Sequence, residues 1–175
     1  MEKLLAVTAI GHDRAGLVRD LSEAVTGAGC NIQESRMIAL GSEFATLMLV
    51  SGNWHAVGKA RDRLGRLQQE SALTITLRDA EQRHANAAAP YLVDAVTLDH
   101  EGIVLGLSGF FASRGLEIAE LNTRRYNAPH TGAAMFSVQM TVNVPAEVHT
   151  GSLREEFMEY CDSENLDAVF EPAQR

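Results

Sequence analysis

Short apolar runs and longer apolar stripes alternate along this chain in an order that occurs twice. Residues 4–10 and 91–98 are brief, apolar and rich in Val, Ile and Thr, so they predict strands. After each run the apolar positions switch to helical spacing. They are Leu17, Leu21, Ala24, Val25 and Ala28 first, then Ile103, Leu107, Phe110 and Phe111, with Arg114 closing the second series. Asp13 and Asp99 precede these stripes where an N-cap belongs, because a carboxylate there accepts from free N–H groups of a first helical turn. Gly29 and Gly115 follow as C-terminal stops.

Two further strand-like runs, residues 31–40 and 43–51, meet at Gly41-Ser42 as a hairpin. Asn53 is placed to cap a second helix carrying Trp54, Val57, Ala60, Leu64 and Leu67 on one side, with Trp54 expected to pack beneath it. Alternation returns over residues 73–77 as a last strand. The unit reads βαββαβ, and residues 152–164 and 166–170 supply the matching helix and strand of a second copy. The expected fold class is α+β: two ferredoxin-like units, each a four-stranded antiparallel sheet with both helices on one face.

The repeat is visible residue by residue. An offset of 86 aligns Val7 with Val93, Ala9 with Ala95, Asp13 with Asp99, Gly16 with Gly102, Gly29 with Gly115 and Glu34 with Glu120. Ten of the 29 positions from 7 to 35 are identical without a gap, which makes the chain a tandem duplication. Further on the offset becomes 92, pairing Phe44 with Phe136 and Met48 with Met140, so six extra residues around 127–132 lengthen a turn in the second copy. The first domain is expected at 1–79, a linker at 80–90 and the second domain at 91–175.

Composition narrows the class. With 46% hydrophobic residues in 175, the chain fills a core. It contains no apolar run long enough to span a membrane, and its N-terminus leads straight into a strand, so a cytoplasmic protein with no membrane association is expected. Two cysteines, Cys30 and Cys161, make no disulfide scaffold. The net charge of −8 argues against direct binding of nucleic acid.

Placed along the chain, that charge becomes a polarity. Residues 1–85 hold ten basic and ten acidic groups, residues 86–175 five and thirteen. Lys59, Arg61, Arg63 and Arg66 make one helix basic, whereas Glu155, Glu156, Glu159, Asp162, Glu164, Asp167 and Glu171 make its counterpart and the final strand acidic. A solvated face is the plain expectation. The sharper one is an acidic face that meets a basic surface on a partner or on a neighbouring copy.

Candidate chemistry gathers at the first strand-to-helix turn: Gly11, His12, Asp13, Arg14, Ala15, Gly16 and Leu17. A helix N-terminus offers free N–H groups to a carboxylate, Gly16 admits close approach, Arg14 adds a cation and Asp13 an ammonium partner. Asn31, followed by Ile32, offers both donor and acceptor at the next strand. Together these residues suit a small zwitterion such as an amino acid; the plainer alternative is a capped helix with a solvated arginine. The second turn, Asp99, His100, Glu101, Gly102 and Ile103 with Glu117 and Ile118, is the weaker site, because two added carboxylates repel an anionic group. No metal-ligand spacing, nucleophile–base pair or phosphate-binding loop is present, so neither an enzyme nor a metal or cofactor is expected.

The run from Gly11 to Val18, with Gly29, Cys30, Asn31 and Ile32, resembles the ACT domain, a small-molecule-binding regulatory module. The stretches 29–36, 41–44 and 51–54, with 118–121 in the second copy, resemble the glycine cleavage system transcriptional repressor family. The resemblance implies a regulator without a DNA-binding domain, restraining a LysR-type transcriptional activator by protein contact. It implies an amino-acid effector, glycine foremost, held against Gly11 to Leu17 and Asn31 and Ile32, often at an interface between ACT domains. Apart from the resemblance, exposed sheet edges in such units commonly pair, so joining of the two sheets within the chain and a homodimer are both expected. Ala15 stands where ACT domains often carry proline, a change an early helical position tolerates. The rival expectation is an ACT-domain regulatory subunit of a metabolic enzyme.

Overall fold

Alternating residues on the first strand point to opposite faces, and its Leu5, Val7 and Ala9 are fully buried while their neighbours are not. That pattern, repeated on each central strand, seats both helices of a unit on one side of its sheet. The computed structural model describes residues 2–82 and 88–173. The first unit comprises β1 (Glu2–His12), α1 (Leu17–Thr26), β2 (Asn31–Leu40), β3 (Glu43–Asn53), α2 (Trp54–Glu70) and β4 (Thr74–Ala80). The second comprises β5 (Ala88–Leu98), α3 (Ile103–Ala112), β6 (Glu117–Asn127), β7 (Ala134–Pro145), α4 (Thr150–Ser163) and β8 (Asp167–Pro172). The strand orders are β2-β3-β1-β4 and β6-β7-β5-β8, antiparallel throughout, so the chain is two ferredoxin-like units.

The chain separates into compact units at residues 1–83 and 84–175. Of the stretch read as a linker, residues 83–87 lie outside the described residues. Ala80 belongs to β4, and β5 begins at Ala88, earlier than the expected domain start at 91.

The local signals act with one correction. Asn53 caps α2, its Oδ1 accepting from the Ala56 N–H at 2.9 Å. Gly41, with φ of 61°, turns the two-residue hairpin between β2 and β3. The extra residues of the second copy form the longer loop between β6 and β7. Asp13 and Asp99, however, are not caps. The N-cap positions are Gly16 and Gly102, held at φ of 92° and 90° with no side-chain cap, because the chain makes an additional left-handed turn before each helix begins. Both copies also carry a bulge that the pattern does not foretell, between Ile32 and Glu34 and between Ile118 and Glu120.

The two cores are filled differently. Leu5, Val7, Leu21, Val25, Val50 and Leu64 pack an almost wholly aliphatic first core. Phe110, Phe111, Phe157 and Phe170 lie ring against ring in the second, with centroid separations of 5.2–6.3 Å. Met48 and Met140 are buried at matching positions, as expected. Trp54 is not: 73% of it is exposed, beside His55, because it sits at the margin of the apolar stripe that Ala56, Val57, Ala60 and Leu64 define. Arg114 lies beyond the end of α3, its guanidinium 3.7 Å from the Phe110 ring centroid and paired with Glu156.

Candidate functional site

β1 delivers residues 11–16 to the top of the first sheet, where the chain must turn back into α1. Gly11 is required there by crowding: a Cβ would stand 2.6 Å from the Ala72 carbonyl oxygen. The Asp13 N–H donates to the Ser42 carbonyl at 2.8 Å, tying the turn to the β2–β3 hairpin. His12 faces Glu43, with Nδ1 to Oε1 at 3.8 Å. After Ala15, Gly16 opens the helix, and the Asp20 N–H closes its first bond onto the Gly16 carbonyl at 2.9 Å. The next N–H groups of α1 meet no side-chain cap.

Arg14 is committed. Its Nη2 pairs with Asp20 Oδ2 at 2.9 Å, and Arg19 holds the other carboxylate oxygen at 3.0 Å. Arg19 and Arg14 keep the Asp20 carboxyl below its usual range. Asp13 is the opposite case, since among the described residues its carboxylate has no hydrogen-bond or ion-pair partner. An exposed carboxylate thus stands beside an uncapped helix N-terminus, one group suited to an ammonium and the other to a carboxylate.

Asn31 and Ile32 do not complete this pocket within the unit. Asn31 pairs with Ser51, and Ser51 with Leu4, whereas the turn begins where His12 pairs with Glu43. Eight residues of strand separate the two levels, about 26 Å at the usual rise. The reason is topological: α1 carries the chain back down the sheet, so β2 starts at the end from which β1 started. Asn31 and the turn can share a ligand only across an interface.

The second turn shows the same backbone with different side chains. Asp99 is taken by Arg125 from β6, a charge pair with partly buried carboxylate. His100 places Nδ1 2.9 Å from the Glu101 carbonyl oxygen. Glu101 and Gly102 are exposed, whereas Ile103 is buried. Glu117 pairs with Asn143 and Asn143 with Pro90, so Glu117 and Ile118 start β6 at the far end of their sheet, as Asn31 does in the first. The Arg125 lock was missed in the sequence; the available signal was Ala39 in the first copy at the position that Arg125 occupies in the second, each paired with a repeat-matched phenylalanine.

The helix layers differ as well. Between α1 and the later turns of α2 lies a cleft of about 530 Å³, lined by Arg14, Asp20, Glu23, Arg63, Arg66 and Glu70. In the second unit Tyr160 fills the space beside α3, approaching Gly106 so closely that a Cβ there would lie 2.3 Å from its hydroxyl. Burial raises the Tyr160 hydroxyl pKa, with Glu164 and Cys161 adding to it. Both cysteines are buried, and burial raises both thiols, Cys161 to about 11 with a further push from Asp162. Among the described residues no group of three or more His, Cys, Asp or Glu side chains is arranged to hold a metal ion, and no helix is long and apolar enough to cross a membrane.

Comparison with known proteins places these features in context. The ACT domain model matches residues 3–78. The glycine cleavage system transcriptional repressor of Escherichia coli (strain K12) is 30% identical over 162 residues, covering 92% of this chain and 85% of the relative. The crystal structure of a putative glycine cleavage system transcriptional repressor superposes with a TM-score of 0.75 at 26% identity, over 100% of this chain and 99% of the other. An unknown protein from Galdieria sulphuraria superposes with a TM-score of 0.82 at 25% identity, over 99% of this chain and all of that one.

Proposed function

The chain belongs to the ACT-domain family of the glycine cleavage system transcriptional repressor, and on that premise we propose that it is a non-enzymatic, amino-acid-responsive regulator that represses glycine cleavage genes. It acts by contact with a LysR-type transcriptional activator rather than by gripping DNA, a reading in keeping with a net charge of −8. Its effector is a small amino acid, glycine foremost, bound at the first turn.

The observation that carries the ligand assignment is the pairing at that turn of an uncommitted carboxylate, Asp13, with the uncapped start of α1. A glycine zwitterion needs one anion and one cluster of N–H donors, and Asp13 and the first N–H groups of α1 are the candidates for these roles. At the second turn the equivalent carboxylate, Asp99, is held by Arg125, and the added Glu101 repels a ligand carboxylate. Ligand at the first turn alters activator binding only as far as it binds the two regulatory states with different affinity.

Isothermal titration of the full chain with glycine is expected to give saturable heat that Asp13→Asn abolishes and Asp99→Asn preserves. Glycine is also expected to weaken a complex between the chain and the activator. No heat with glycine or any other amino acid overturns the effector assignment, and heat unchanged in Asp13→Asn overturns the site.

A further inference from the structure

The helices cover one face of each sheet, and the opposite faces are unlike. In the first unit the uncovered face presents Ile10, Ile38, Leu40 and Leu47, exposed by 54%, 44%, 66% and 52%, around the smaller Ala6 and Ala45, with the exposed Arg36 beside Leu47. In the second unit the corresponding face has Leu98, Met135 and Val169, but Asp94, Glu120, Gln139, Asp167 and Glu171 break it up.

Register adds a charge pattern. One cross-strand row of the first sheet runs Glu34, Leu49, Ala6, Arg78, with an acid at one edge and a base at the other. The equivalent row of the second sheet runs Glu120, Thr141, Leu92, Glu171, with an acid at both edges. Arg78 forms no ion pair among the described residues, and Glu34 has only an exposed contact with Arg36 at 3.3 Å.

We propose that the uncovered sheet face of the first unit is the docking surface for the same face of a second copy of this chain. A two-fold axis parallel to the strands lays Arg78 of each copy over Glu34 of the other, while Leu47 and Ile10 pack across the middle. The same operation on the second unit sets Glu171 against Glu120, so like charges disfavour it there. Four strands about 4.8 Å apart and about 20 Å long give a face whose pairing removes on the order of 1,000 Å² from water, enough for a specific contact in the micromolar range. This surface lies away from the helix layer and is independent of the effector assignment.

Sedimentation of the full chain through a micromolar dilution series tests it. A dimer is expected. Leu47→Arg, at a half-exposed position that leaves the circular dichroism spectrum and melting temperature intact, is expected to give monomer. Arg78→Glu is expected to weaken the dimer at least tenfold, and Glu34→Arg added to Arg78→Glu to restore it. A wild-type chain that stays monomeric overturns the proposal. A dimer indifferent to Leu47→Arg overturns it as well.

Discussion

The two units share a backbone and part company in what they build on it. Both open the first helix on a left-handed glycine, both bulge the edge strand after Ile32 or Ile118, and both stop the helix with a left-handed glycine. Those are positions where the chain path itself demands a residue type. Above them the first unit is aliphatic inside and charged outside, with an open cleft between its helices and an uncommitted Asp13. The second is aromatic inside, fills the corresponding space with Tyr160, and ties Asp99 to Arg125. After duplication, backbone geometry persists while side chains diverge, and the divergence leaves open groups in one copy and committed ones in the other.

The largest effect that tests this difference lies in the cores. Phe157 contacts three other phenylalanine rings and is fully buried. Phe157→Ala is expected to cost about 3–5 kcal/mol, at the upper end because rigid rings collapse poorly into a cavity. Leu64→Ala, fully buried among flexible aliphatic neighbours, is expected to cost about 2–3 kcal/mol. Denaturant unfolding gives the totals, and hydrogen exchange read peptide by peptide assigns each loss to its own unit. Protection falling equally in both units after either substitution breaks the picture of two separately packed cores.

A smaller effect probes the junction between the first strand of each unit and the start of the last. Gly11 and Thr97 occupy equivalent positions. In the first unit the Ala72 backbone comes so near that no Cβ fits; in the second the Thr97 hydroxyl donates to the Asn165 carbonyl at 3.1 Å. Gly11→Thr is therefore expected to cost about 1–3 kcal/mol through forced backbone movement. Thr97→Gly is expected to cost about 1–2 kcal/mol through a lost hydrogen bond and a freer unfolded chain. Thermal melts of the two variants give the comparison. A neutral Gly11→Thr means that the Ala72 segment is free to withdraw, and the two junctions are then interchangeable.

Most of the fold is legible in the sequence because it rests on periodicity: alternation on β1 and β5, helical stripes on α1 and α3, a glycine hairpin, and a repeat that doubles every signal. What escapes is side-chain partnership across distance. Nothing adjacent to Asp99 in sequence points to Arg125, which lies 26 residues away. Trp54 looks like core because it heads an apolar stripe, yet its angular position at the stripe's edge leaves it in solvent. The grouping of Asn31 with the first turn fails for a reason already contained in the βαββαβ order. A helix between two parallel strands returns the chain to its starting end, so the start of β2 and the end of β1 lie at opposite ends of the sheet.

The smallest effect on stability carries the sharpest test of the two turns. Arg125→Ala removes a partly exposed ion pair and is expected to change stability by at most about 1 kcal/mol. It frees Asp99, but Glu101 still places a second carboxylate beside the helix start, where the first copy has Ala15. A glycine carboxylate approaching α3 therefore still meets a like charge, and Arg125→Ala alone is expected to add no binding. With Glu101→Ala as well, the second turn carries the side chains of the first at both positions, since Ala39 and Ala15 stand there in the first copy. Titration of that double variant is expected to show a second equivalent of glycine per chain. If Arg125→Ala alone adds the second equivalent, the ion pair by itself silences the turn and Glu101 is a bystander. If the double variant adds none, the difference between the turns lies in the backbone they share with their sheets, and the side-chain account of the asymmetry fails.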